Sequence, residues 1–314
     1  MKWRHYKGKV SRGKAASEAQ LSLAFFLMRN FKSPTKVGTL APALKMANDK
    51  PRIAASSYLN TAPLVWSFIH GSQRNAVELF TDTAPARCAE MLERGEVDAA
   101  LVPVIEYQRM DGISIVPDVC VGSKTAVRSV VLVTRKNNLK KVERVALDES
   151  SRTSATLVKI IFREFLGFEP EWTTAAPDLH LMMQQADAAL IIGDPAMTVS
   201  QEQLRVLDLV TLWREFTGFG FVFAMWMVRN ESVDKLNSLD FAAARDEGLA
   251  NLEQVIASYR HEIQLPHDAV EKYLTANIVF NVDAEMSSGL ALYFKLAQKH
   301  RLIEATKPLK FSAS

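Results

Sequence analysis

Four polar segments carry the residue types best suited to binding and chemistry. The first, Ser56-Ser57-Tyr58-Leu59-Asn60-Thr61, sets four hydroxyls and one amide within six positions, with no acid, base or glycine. The second is Asp148-Glu149-Ser150-Ser151-Arg152-Thr153-Ser154, the third Gly193-Asp194-Pro195-Ala196, and the fourth runs from Ser123 to Ser129. The first three follow predicted strands and precede predicted helices; the fourth opens a strand. A helix N-terminus presents unpaired N–H groups and about half a positive charge, so it suits carboxylates and phosphates. Hydroxyls add donors without the desolvation cost of a buried lysine. The same residue types are the usual helix N-caps, and capping accounts for any one loop taken alone. Several such loops arriving at one cleft are harder to explain by capping.

Other side chains have two readings each. Arg128 and Arg152 suit bidentate contact with a carboxylate, or a surface ion pair. Asp194 suits a helix cap or a ligand hydrogen bond. The aromatics Trp213, Phe216, Phe219, Phe221, Phe223 and Trp226 read mainly as core, with one or two available to wall a cleft. The six histidines, at 5, 70, 180, 261, 267 and 300, show neither helical i, i+4 spacing nor a His-Glu-x-x-His motif. Two cysteines, Cys88 and Cys120, are too few for a cysteine metal site or a disulfide framework. A metal site is therefore not expected. There is no Gly-x-Gly-x-x-Gly, no phosphate-binding loop ending Gly-Lys-Ser/Thr and no Gly-x-Ser-x-Gly, so nucleotide and hydrolase chemistry of those kinds lack motif support.

The elements that must position these residues alternate. Strands are expected at 53–56, 77–80, 98–102, 129–134, 145–147, 188–192 and 221–228, and helices at 63–71, 84–94, 153–166, 178–185 and 209–216. This alternation points to an α/β fold with a largely parallel sheet. Beyond residue 231 the pattern is almost wholly helical, over about 232–261, 266–277 and 283–301. With 48% apolar residues in 314, the chain is long enough for two lobes, each with its own core. The expected arrangement is discontinuous: residues 51–132 and 224–314 form lobe 1, and 133–223 form lobe 2. Ligands of such sheets sit at the carboxyl ends of the strands, in the cleft.

The net charge of +3 hides an asymmetry. Residues 1–50 hold 11 of the 38 Lys/Arg and only 2 of the 35 Asp/Glu, so the rest of the chain is acidic. Residues 1–50 read as a basic, disordered extension, and the body has no electrostatic footprint for nucleic acid or membrane. The apolar run Leu21–Met28 is short for an export signal, and no segment has the ~20 apolar residues of a membrane span. The expected location is the cytoplasm. On these grounds alone the reading stops at a two-lobed protein that binds a small anionic molecule.

The polar segments and their flanks also resemble a known family. The blocks SSYLNTAPL (56–64), ERGEVDAALVPVIEY (93–107), AVRSVVLVTR (126–135), VALDESSRTSATL (145–157), DAALIIGDPAM (187–197) and LWREFTGFGFVFAMW (212–226) are similar to those of the chorismate dehydratases of the futalosine route to menaquinone. They run in family order over roughly 52–303. The resemblance implies a two-lobed type II periplasmic-binding-protein-like fold with a central cleft. It implies a hydro-lyase that dehydrates chorismate to 3-[(1-carboxyvinyl)oxy]benzoate with no cofactor and no metal. The sister enzyme of the same route, 1,4-dihydroxy-6-naphthoate synthase, has a first loop resembling Ser-Pro-Cys-Pro-Asn-Asp-Thr. No cysteine stands in the loop here, which favours the dehydratase.

Ordinary acid–base catalysis would look for His or Glu, and the first and fourth segments offer neither. The resemblance implies instead that the enolpyruvyl carboxylate of chorismate removes the ring C3 proton. It carries Asn60 and Ser129 over as the catalytic pair. It implies that Ser151, Thr153 and Ser154 bind a carboxylate at their helix N-terminus, and that Ser57, Tyr58, Arg128, Arg152 and Asp194 line the pocket. Chorismate is the one implied partner, and the oligomeric state is left open. Rival readings are a solute-binding protein, the sister synthase and a ligand-sensing domain.

Overall fold

The computed structural model describes residues 50–259 and 263–312. The basic extension read over residues 1–50 lies, apart from Lys50, outside them. Among the described residues ten strands alternate with helices: β1 (Arg52–Ser56), β2 (Glu78–Asp82), β3 (Ala99–Pro103), β4 (Ile113–Ser123), β5 (Val130–Thr134), β6 (Arg144–Asp148), β7 (Glu171–Ala175), β8 (Ala188–Ile192), β9 (Arg205–Asp208) and β10 (Phe221–Arg229).

These strands build two five-stranded sheets with matching layouts, β2-β1-β3-β10-β4 and β7-β6-β8-β5-β9. The expected parallel pairing holds for β2-β1-β3 and for β7-β6-β8. It fails at β10 and β5, which run antiparallel to both of their neighbours. Each of these two strands is the one its sheet receives directly after the chain has crossed from the other sheet. β5 lies wholly in the second sheet and β10 wholly in the first, so the crossings fall ahead of both strands, at 124–129 and around Gly218-Phe219-Gly220, instead of inside them. Gly218 ends the helix Leu209–Thr217 with a φ of 78°, a left-handed cap that suits glycine.

Continuous apolar runs mark strands covered on both faces. All five residues of β3, β5 and β8 are buried. In β5, Val130 and Leu132 join the main core while Val131 and Val133 pack under the helix Leu179–Gln185 with Met182 and Met183. The main core also holds perpendicular aromatic pairs, Trp213 with Phe221 and Phe221 with Tyr293.

Three strands lack a clear sequence signal. β7 and β9 are partly exposed edge strands. β4 is interrupted at Pro117 and Asp118, where φ is 56° and the pairing with β10 shifts register. The helical pattern over 232–261 breaks into Val233–Leu236, Phe241–Ala250 and Leu252–Tyr259, because Asp240 caps a new helix on the N–H of Ala243. No described helix is long and apolar enough to cross a membrane.

Candidate active site

The carboxyl ends of β1 and β8 and the crossing segment 124–129 meet at one cleft. β1 delivers Ser56, whose Oγ shares a hydrogen bond with Thr61 Oγ1 at 2.8 Å and closes the first loop on itself. Leu59 is fully buried and anchors the loop. Pro63 then starts the helix Ala62–Ile69, as a proline in the first turn does. Behind this helix Gly248 touches it backbone to backbone: a Cβ at Gly248 would lie 1.9 Å from the Pro63 carbonyl oxygen.

Two side chains of this loop make long-range contacts. The Tyr58 ring lies on Gly193, where a Cβ would sit 2.4 Å from the ring and where φ is 71°. Burial pushes the Tyr58 phenol up to about 12, and the charge of Asp148 adds to this, while a hydrogen bond with Ser150 opposes it. Asn60 Nδ2 donates to the Tyr273 hydroxyl at 3.1 Å, and that hydroxyl donates to Ser129 Oγ at 2.7 Å. Asn60 and Ser129 are thus joined through a third residue. Ser129 is fully buried, and a tight turn from its own N–H to Val127 O (2.7 Å) leads it into β5. Arg128 takes a φ of 62° in that turn, and its backbone N–H donates to Asp208 at 2.6 Å.

The second loop follows β6. Asp148 Oδ1 accepts from both the N–H (2.8 Å) and the hydroxyl (2.6 Å) of Ser150, which shapes the turn into the helix Arg152–Ile160. Ser151 is the N-cap residue and makes no side-chain cap bond. The N–H groups of the first turn therefore lack helical partners at the edge of the cleft, which Ser151, Thr153 and Ser154 line. Lobe-to-lobe contacts hold this helix in place. Ile105 N–H donates to Thr153 Oγ1 (3.3 Å), and Tyr293 donates to Thr153 O (3.0 Å). The Arg152 guanidinium reaches Glu106 (3.0 Å) and Glu90 (2.8 Å).

About 580 Å³ of empty space, part of it open solvent, lies in the cleft. Its wall is apolar: Leu101, Pro103, Val121, Val127, Val130, Ile192, Phe223 and Ala224. Its rim is neutral and polar, from Ser56, Tyr58, Asn60, Thr61, Ser150, Ser151, Thr153 and Ser154. Arg152 is its one charged lining residue, and it is paired. No Asp, Glu, His, Lys or Cys lines it among the described residues.

Of the residues singled out from sequence, Tyr58, Asn60, Ser151, Arg152, Thr153 and Ser154 line the cleft. Ser129 lies beneath it, reached through Tyr273. Ser57 does not line the cleft; its backbone is held on both sides, with its N–H on Asp82 O (2.9 Å) and its carbonyl accepting from Tyr259 (3.3 Å). Asp194 accepts from Leu59 N–H and Arg128 is held by its backbone, and neither lines the cleft. Phe223 is the one aromatic of its group in the wall. Sequence reasoning missed Tyr273, Glu90 and Glu106. A lone tyrosine in an apolar helical run reads as core, and no local spacing ties it to residues 60 and 129. Among the described residues no group of three or more His, Cys, Asp or Glu is gathered as for a metal ion.

Comparison with known proteins gives the wider setting. A family model described as menaquinone biosynthesis matches residues 51–299. A chorismate dehydratase from Thermus thermophilus is 30% identical over 236 residues, which cover 69% of this chain and 84% of that one. Protein AF1704 from Archaeoglobus fulgidus superposes with a TM-score of 0.65 at 17% identity, over 81% of this chain and 98% of that one. The periplasmic aliphatic sulphonate binding protein SsuA from Escherichia coli gives 0.55 at 17% identity, over 85% and 95%. A Candida albicans protein described as having the generic periplasmic binding protein fold gives 0.58 at 12% identity, over 85% and 99%. The fold is therefore the two-lobed periplasmic-binding-protein-like α/β fold with a central cleft. From the family match and the identity to a curated relative, the chain belongs to the menaquinone biosynthesis family and is a relative of chorismate dehydratase.

Proposed function

We propose that the protein dehydrates chorismate to 3-[(1-carboxyvinyl)oxy]benzoate and water. The observation that carries this reading is the lining of the cleft: an apolar wall, neutral donors, one paired arginine and, among the described residues, no carboxylate, histidine, lysine or cysteine. Such a site suits a substrate that brings its own base. Chorismate does so, in the carboxylate of its enolpyruvyl side chain. That carboxylate takes the C3 proton, the freed electron pair forms the C3–C4 double bond, and the C4 hydroxyl leaves and is protonated to water. The ring becomes aromatic, which drives the step.

In this reading the protein orients the substrate and stabilises developing charge. The ring lies against the apolar wall. Its carboxylate meets the first-turn N–H groups and hydroxyls at Ser151, Thr153 and Ser154. Asn60 holds the enolpyruvyl carboxylate or the departing hydroxyl, and Ser129 hydrogen-bonds beside it and fixes the reactive conformer. A second anion beside the substrate's carboxylates would oppose binding, which accounts for a neutral rim.

The test is incubation of the purified protein with chorismate and no added cofactor, followed by absorbance and mass. Loss of one water supports the reading. Unchanged chorismate rejects it, and tight retention of unchanged chorismate would mark a solute-binding protein.

A further inference from the structure

Tyr273 is fully buried, and its ring alone would serve the core as well as a phenylalanine's. Its hydroxyl is a different matter. A buried hydroxyl without partners destabilises the fold, and this one finds its partners in Asn60 and Ser129. The two arrive from separate places, Asn60 from the loop after β1 and Ser129 from the crossing segment ahead of β5. Tyr273 comes from a third, the π-helical turn Tyr273–Asn277. The far end of that turn is fixed as well, since Asn277 Nδ2 donates to Ala126 O at 2.8 Å. The turn is thus docked on the crossing segment at both ends.

The donor directions form one chain: Asn60 N–H to Tyr273, and Tyr273 O–H to Ser129. A phenol has one proton to give, and it is committed to Ser129. The Asn60 amide is in turn held in one orientation, with its oxygen turned to the Thr61 hydroxyl at 3.4 Å. The Ser129 proton has only Val127 O at 3.4 Å, long for such a bond, so the hydroxyl is ready to turn to a better acceptor. Burial, foremost, holds the Tyr273 phenol far above its ordinary ionisation range, so the chain stays protonated at any ordinary pH.

We propose that Tyr273 is a positioning residue, whose single hydroxyl sets the orientation of both Asn60 and Ser129 toward the substrate. This rests on the dehydratase reading. A positioning role predicts loss of turnover without matching loss of binding, and a coupling between Tyr273 and Asn60 that a packing role would not produce.

The test compares Tyr273→Phe, Asn60→Ala and the double variant with the wild type, by steady-state chorismate dehydration and thermal melting. The expected result for Tyr273→Phe is a kcat lower by about 10- to 100-fold, a KM within about threefold and a near-native melt. In the Asn60→Ala background the same change should cost less than about threefold. A Phe variant that melts normally and turns over within about twofold of the wild type overturns the proposal. So does a loss that is fully additive with Asn60→Ala. If the Phe variant does not fold, 3-fluorotyrosine at position 273 keeps the shape and alters only the strength of the hydroxyl as donor and acceptor. Unchanged turnover there overturns the proposal, and a change of about threefold or more supports it. Wild-type protein that leaves chorismate intact rejects the dehydratase reading itself, an outcome distinct from a normal wild type with an indifferent variant.

Discussion

The backbone N–H of Leu59 donates to the carboxylate of Asp194, at 3.1 Å to Oδ1 and 3.3 Å to Oδ2. Leu59 belongs to the loop after β1 and Asp194 to the turn after β8, so this contact joins the two sheets across the cleft. It stands beside the Tyr58–Gly193 contact and holds the first polar loop against the second lobe. A hydrogen bond to a charged acceptor contributes about 1.5–3 kcal/mol. Asp194→Ala should therefore weaken this contact between the sheets and raise the KM for chorismate about 10-fold, with kcat within about threefold. Steady-state kinetics decide the matter; a variant with unchanged KM and a large fall in kcat would move Asp194 from lobe contact to chemistry.

Asn60→Ala and Ser129→Ala remove the two neutral donors assigned to the reacting region. Each is expected to cut turnover by roughly 10²-fold or more, the scale of losing one preorganised donor. Asn60→Ala leaves the Tyr273–Ser129 bond in place, so its melting should stay near that of the wild type, whereas Ser129→Ala strips a fully buried hydroxyl of its acceptor and should also cost about 1–3 kcal/mol of stability. Near-normal turnover in Asn60→Ala would reject its assignment.

Gly248 allows the helix Phe241–Ala250 to lie directly on Pro63, two residues past Thr61. The obstructing atom for a Cβ at 248 is a backbone oxygen at 1.9 Å, which no rotamer change can relieve. Gly248→Ala should destabilise by about 1–3 kcal/mol or more through overpacking. That corresponds to a melting temperature lower by about 2–4 °C per kcal/mol. Activity should fall too, since the helix that must shift follows directly from the Asn60 loop. An alanine variant with wild-type melting and turnover would contradict this packing.

Asp148 is buried, and its Oδ1 takes both bonds from Ser150. Burial, foremost, raises its carboxyl above the ordinary value of 3.8, against the opposing bonds from Ser150 and from the Ile192 backbone. The folded protein thus binds this proton more tightly than the unfolded chain does. The resulting stabilisation is present in full below the ordinary value and is lost as pH rises through the raised one. Asp148→Asn, which cannot ionise, should gain melting temperature relative to the wild type as pH goes from 4 to 7. A difference that stays constant across that range would count against a buried, reluctantly ionised carboxyl.

Much of the site was legible because its loops are local objects. A strand, a polar turn and a helix start at 52–63, at 144–153 and at 188–195 are each written in contiguous residues, through β-branched or apolar runs, cap residues and Pro63 or Pro195. The carboxyl ends of those strands follow from the βα alternation. The edge strands β7 and β9 were not legible, because pairing on one side alone gives them little apolar patterning.

By itself the sequence determined the α/β alternation, the three loops at strand ends, and a rim made of hydroxyls and an amide. Tertiary structure alone decided what those groups do. It committed Arg152 to Glu90 and Glu106, left Ser57 out of the cleft lining, made Asp194 a lobe contact, and set Tyr273 between Asn60 and Ser129. The physical reason is that helix caps and strand patterns arise between neighbours in the chain and leave a spacing to read. A hydrogen bond between residues far apart in the chain depends on how whole elements pack, and it leaves no local trace.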